Sequence, residues 1–224
     1  MVFITGDTHI PTDIQKLSTT RFPVQKKLTE KDYLIICGDF GGVWNNSNEE
    51  IYWRKWLNNK NFLTLFIDGN HENFDLLKEF PVVDFNGGKA HKITDKIFHL
   101  MRGQIYTIDN NKIFTFGGAS SHDKEYRKEG KNWWSDEMPT NEEYDEAIRN
   151  LELENWDVDY IITHCTATSI QRQIDCSYEE NVLTDFLESI KEKSNYKKWL
   201  FGHYHKDKRL NEKHIAVFDS ILSI

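Results

Sequence analysis

The sequence predicts an α/β protein with two β-sheets at its core and helices outside them. Three observations carry this. Short apolar runs of β type recur from one end of the chain to the other. Helical patterns separate several of them. The stretch 97–117 holds strands in succession, with no helical pattern between.

The elements follow in order. "VFIT" (2–5) and "YLIIC" (33–37) read as buried strands. Residues 49–58 place Ile51, Trp53, Trp56 and Leu57 near one face of a helix. "FLTLFI" (62–67) is the next strand, followed by "IFHL" (97–100), "QIYTI" (104–108) and "KIFTFG" (112–117). A long polar and aromatic stretch, 117–139, intervenes. Residues 141–154 then open with Asn and acidic residues, as helix starts do, and carry Tyr144, Ile148 and Leu151 at helical spacing. "YIIT" (160–163), a helix over 179–192 with Val182, Leu183, Phe186 and Ile190, "KWLFG" (198–202) and "HIAVF" (214–218) complete the chain.

Composition bounds the function. The 224 residues suit one domain, 1–224, with a substantial core. No apolar run reaches the ~20 residues that span a bilayer, which argues against a membrane role. Asp7 arrives early with no basic segment before it, so no signal peptide is read and the cytoplasm is the expected compartment. Cys37, Cys165 and Cys176 are odd in number and contain no CxxC, which fits reduced thiols. A net charge of −8 argues against long duplex nucleic acid as a partner.

The strand ends carry the chemistry. "GDTH" (6–9) follows the first strand, "GDFGG" (38–42) the second and "DGNHE" (68–72) the third. His164 follows "YIIT", and "GHYH" (202–205) ends the strand at 198–202. Any one of these reads as a turn, since Gly, Asp and Asn suit tight bends. Five together, each just past a strand, place carboxylate, amide and imidazole groups on one edge of a sheet. That donor mixture suits Mn²⁺, Fe or Zn²⁺ better than Ca²⁺. Asp7, His9, Asp39, Asn70, His164, His203 and His205 are too many for one ion, and two divalent cations sharing a carboxylate would use them all.

The ordered pattern DxH, GD, GNH with an acidic residue next, a lone His and GHxH resembles the calcineurin-like metallophosphoesterase superfamily, and its blocks span residues 7–205. The resemblance implies a two-sheet sandwich flanked by helices on both sides, a four-layer αββα arrangement. It assigns Asp7, His9 and His205 to a first cation, and Asn70, His164 and His203 to a second. Asp39 bridges, and Mn²⁺ is the first choice. The implied activity is hydrolysis of a phosphate monoester or diester, with a metal-bridging hydroxide as nucleophile and His71 as the acid for the leaving group. A small phosphate ester or nucleotide is the implied substrate. Nuclease or cyclic-nucleotide phosphodiesterase activity is the alternative within that class, and a catalytically silent binding scaffold is the alternative outside it.

One block departs from the pattern. Where relatives commonly read GDxxDR, this chain has Gly42 and Val43. The Asp that orients the catalytic histidine and the Arg that binds phosphate are both missing. Asp68 and Glu72 are near enough in sequence to be substitutes for the first. For the second, the excursion 117–139 offers Arg127 as a phosphate clamp on a lid, with Trp133 or Trp134 stacking on a ring or simply capping the core. Arg102 is the fallback, and His122 a further group able to approach the cations.

Overall fold

A computed structural model describes residues 1–224. It contains thirteen strands in two sheets. The first sheet is built from β1 (Val2–Thr5), β2 (Tyr33–Ile36), β3 (Leu63–Phe66), β4 (Val82–Phe85), β5 (Gly88–Lys92), β6 (Ile97–Leu100) and β13 (Ile221–Ser223), in the order β13-β1-β2-β3-β6-β5-β4. The second holds β7 (Gln104–Ile108), β8 (Asn111–Phe116), β9 (Tyr160–Thr163), β10 (Lys198–Phe201), β11 (Lys208–Arg209) and β12 (His214–Ala216), in the order β11-β12-β10-β9-β8-β7. The middle of each sheet is parallel: β1, β2, β3 and β6 in one, and β8, β9, β10 and β12 in the other. The outer strands pair antiparallel.

The period-2 alternation of each central strand explains the layers. Val2, Ile4, Ile35, Cys37 and Leu65 from one sheet meet Ile113, Ile162, Leu200 and Ile215 from the other, forming the core between the sheets. The alternate residues Phe3, Leu34, Ile36 and Phe66 face outward, where they pack with Leu57 of α1 (Asn48–Asn58), Leu77 of α2 (Phe74–Lys78) and the turns over 14–28. Across the molecule, Phe114, Phe116, Ile161, Trp199 and Phe201 pack against α3 (Asn141–Leu153), α4 (Thr168–Ile174) and α5 (Val182–Lys193). A strand covered on both faces reads as a continuous apolar run, which is why "YLIIC" and "YIIT" contain no alternation to see. Helix, sheet, sheet and helix form the four layers.

The helix starts obey capping chemistry. The Ser47 side chain accepts the Glu50 N–H before α1. Thr140 and Glu143 form a reciprocal box before α3, and Asn181 does so with Thr184 before α5. The Asn181 cap moves the start of the last helix to Val182, three residues later than its apolar pattern suggests. The hairpin β4–β5 escaped the reading because "GKAHK" is polar, although its Asn86-Gly87 turn, at φ 49° and 97°, is the usual short-hairpin signal. The short elements α2, α4, β11 and β13 also go beyond it. No helix is long and apolar enough to cross a membrane.

Candidate metal centre

In each sheet the parallel strands β1, β2 and β3, and β9 and β10, run the same way, so the loops leaving their C-terminal ends meet along one edge. Four of the seven ligand-type residues sit in the left-handed backbone region: His9 (φ 31°), Asp39 (46°), His203 (67°) and His205 (48°). A side chain there costs about 1–3 kcal/mol, and such residues concentrate where function requires an abrupt turn. The bends are held by the amides of Thr8 and His9, which donate to the Asp39 carbonyl at 3.1 and 2.9 Å. Two glycines allow the close approach. A Cβ on Gly69 would lie 2.0 Å from Asp39 Oδ1, and one on Gly202 would lie 2.2 Å from Asp7 Oδ1.

Asp7, His9, Asp39 and His205 bring one ligand atom each within 4.8 Å of all the others. His9 Nε2 lies 3.2 Å from Asp39 Oδ2, and His205 Nε2 lies 3.2 Å from Asp7 Oδ2. On the other side, Asp39 Oδ1 lies 3.4 Å from His164 Nε2, which is 3.2 Å from Asn70 Oδ1. The His203 ring stands edge-on to His164, 5.0 Å between centroids. The two oxygens of Asp39 thus face two separate ligand groups. His164 Nδ1 lies 2.8 Å from the Cys37 carbonyl, and His9 Nδ1 lies 2.8 Å from Asp13 Oδ2. Each partner can only accept, so Nδ1 carries the proton and Nε2 is left for a cation.

Electrostatics agree with this donor set. Burial opposes charge on His164, but Asp39 and Asp7 outweigh it and raise its pKa to about 10. Burial opposes ionisation of Asp39, yet the neighbouring His164 and His9 hold its carboxyl well below the usual range. Two buried carboxylates therefore favour positive charge beside them, and a proton on His164 can supply it. Burial beside His164 drives His203 down to about 3, so it stays neutral, as a ligand must. Carboxylate, imidazole and amide oxygens around a shared Asp39 fit divalent transition-metal ions.

His71 stands apart from these ligands. Its backbone N–H donates to Asp39 Oδ1 at 2.8 Å, and its half-buried ring lies 5.7 Å from that of His9. Burial, with the positive charge of Arg127 nearby, lowers its pKa despite Asp39. Arg127 therefore lies within electrostatic reach of His71. Its Nε pairs with Asp123 Oδ1 at 2.7 Å. A cavity of about 320 Å³ opens beside His9 and His71, walled by Trp44, Gly41 and the start of α1. A second, of about 490 Å³, lies on the His203 side and is lined by His122, Tyr178 and His203.

Several expectations need correction. Arg102 is buried and cannot reach a substrate: its Nε and Nη2 hold Asp68 Oδ2 at 2.9 and 2.6 Å, and Nη1 holds Glu143. Asp68 does not orient His71, because its other oxygen faces His99 Nε2 at 3.0 Å. Glu72 does not either; its Oε1 accepts the Phe40 N–H at 2.7 Å. Val43 is buried in the helix-side core, turned away from the ligands. Trp134 belongs to that core, packing 5.2 Å from Trp44 with Nε1 donating to Asp75, so stacking on a substrate falls outside its reach. His122 comes near the ligands only through its ring, 6.2 Å from that of His203.

The sequence reading missed three supports. Asp13 steadies His9. Lys16 is fully buried and donates to the carbonyls of Asp7 and Phe218 at 2.7 and 2.5 Å, placing a cation behind Asp7. Ser121 accepts from the Asn70 amide. The His9–Asp13 spacing of four residues was the one local signal.

Comparison with known proteins gives one strong match. The family model described as calcineurin-like phosphoesterase matches residues 1–207. No curated protein sequence matches. Among solved structures, a Staphylococcus aureus protein provisionally assigned as a 5'-nucleotidase aligns at a TM-score of 0.49 and 14% identity over 99% of this chain. The chain spans about half of that protein, 50% of its length.

Proposed function

The chain belongs to the calcineurin-like phosphoesterase family, a family of metal-dependent phosphoester hydrolases, and from that premise we propose that it hydrolyses a small phosphate ester or nucleotide at a two-cation centre. The observation that carries this reading is Asp39, whose two oxygens face separate ligand groups, His9 on one side and His164 with Asn70 on the other. Asp7, His9 and His205 would hold the first ion with Asp39. Asn70, His164 and His203 would hold the second. When bound, such a pair activates water near neutral pH and neutralises charge on the phosphoryl oxygens.

The chain's own residues do the rest. Asp13 and the Cys37 carbonyl fix the tautomers of His9 and His164. Arg127, whose positive charge is felt at His71, would offer a guanidinium for phosphate oxygens once released from Asp123, in place of the arginine absent at Val43. His71 borders the 320 Å³ cavity, which supplies room for a leaving group, and would be the residue that protonates it. No hydrogen bond to a side chain fixes the His71 ring, which stands edge-on to that of His9.

The leaving-group dependence of a His71→Asn variant tests the assignment. The variant should keep its metals. It should lose about 10²–10⁴-fold on alkyl phosphates and far less on nitrophenyl phosphate, whose leaving group needs no proton. A uniform loss across leaving groups would contradict a proton-donor role.

A further inference from the structure

Asn70 offers a cation one oxygen, and an amide has two faces that differ only in which atom they present. Something must choose. Asn70 Nδ2 donates to Ser121 Oγ at 3.2 Å, and Ser121 Oγ donates to Glu137 Oε2 at 2.6 Å. The Ser121 backbone N–H donates to the other Glu137 oxygen at 2.9 Å. All three side chains are buried, Glu137 at 1% exposure. The carbonyls of Asp136 and Glu137 accept from Arg102 Nη2 at 2.8 and 3.3 Å, which anchors this end of the excursion.

The proton count runs one way. A carboxylate can only accept, so the single hydroxyl proton of Ser121 is committed to Glu137. Ser121 then presents only lone pairs to Asn70, and the amide must turn its NH₂ toward Ser121. Its oxygen is left facing His164 Nε2. We propose that Ser121 and Glu137 are positioning residues that hold the Asn70 oxygen toward the second cation position and so set the affinity of that position. The proposal rests on the two-cation reading above. It also gives the excursion 117–139 a role: Ser121 comes from its start and Glu137 from its end, so the segment clamps a strand-end ligand from above.

Glu137→Gln separates this from simple packing, because the shapes are nearly the same. Glutamine can keep accepting the Ser121 N–H through Oε1 while its NH₂ donates to Ser121 Oγ. The hydroxyl proton is then free to donate to Asn70 Oδ1, and the amide can turn over. Ser121→Ala removes the selector outright.

The test is a Mn²⁺ titration of the full chain, with metal content and the thermal midpoint of the metal-free protein measured in parallel. Wild type should bind two ions. Glu137→Gln and Ser121→Ala should keep one at wild-type affinity and weaken the other by about 10–100-fold, the usual cost of removing a group behind a ligand. In an Asn70→Asp background both atoms are oxygens and no choice exists, so the same two substitutions should not weaken the second ion; freeing the Ser121 proton or removing its oxygen only relieves the carboxylate oxygen that faces it. Equal weakening of both ions, unchanged affinity in both variants, or the same loss in the Asp background would each overturn the proposal. A wild type that takes a single ion would instead overturn the two-cation reading beneath it.

Discussion

Asp39→Asn is expected to weaken both cation positions, leaving at most one filled, and to lower turnover of any phosphate ester by about a thousandfold, the upper range for loss of one electrostatic stabiliser. Asparagine is the informative replacement. It tolerates the left-handed backbone at φ 46°, where alanine would add strain, and its side-chain oxygen can still accept the His71 N–H now given to Oδ1. What it loses is the charge and the second oxygen. With Oδ2 facing His9 and Oδ1 facing His164, an amide can serve one group or the other. Elemental analysis and initial rates on one ester decide it. Full occupancy of both positions in Asp39→Asn would mean that the carboxylate is not shared.

The second large effect is on stability. Asp68→Asn should destabilise the fold by about 3 kcal/mol, the low end for breaking a buried ion pair by removing one partner. Arg102 is buried. It would keep Glu143, which is half-exposed, but lose the carboxylate that two of its nitrogens share. For a chain of this size the thermal midpoint should fall by roughly 6–12 °C. His99 lies 3.0 Å from the other Asp68 oxygen and 3.0 Å from His91, and the one oxygen that asparagine keeps can serve Arg102 or His99 but not both. Metal-free protein should be used, so that the loss is not confused with weakened ligation at Asn70, two residues along. An unchanged midpoint would mean that Glu143 and the Asp136 carbonyl suffice for Arg102.

What was legible in the sequence was local. Apolar runs such as "YLIIC" mark their own strands, and the ligand blocks follow them because a parallel sheet must turn its chain at that edge. Asp7, His9, Asp39 and Asn70 could be named because each lies within a few residues of a strand end. The groups that steady them could not. Ser121 lies 51 residues from Asn70, Arg102 lies 34 from Asp68, and Lys16 meets the carbonyl of Phe218 across 202 residues. No short-range pattern encodes such pairs; only the fold brings them together. Arg102 shows the hazard: between two predicted strands it reads as available, yet burial has committed every nitrogen. The missing Asp and Arg of the second block were visible as absences, and Val43 in the core explains the second of them.

If Asp39 joins two cation positions, the two ions must act together. Stepwise loading of metal-free protein with Mn²⁺, following bound metal and phosphate-ester turnover in the same samples, tests it most directly. Two ions per chain are expected at saturation, with activity rising chiefly as the second equivalent binds. Full activity at one ion per chain, with no further rise on adding the second, would contradict it.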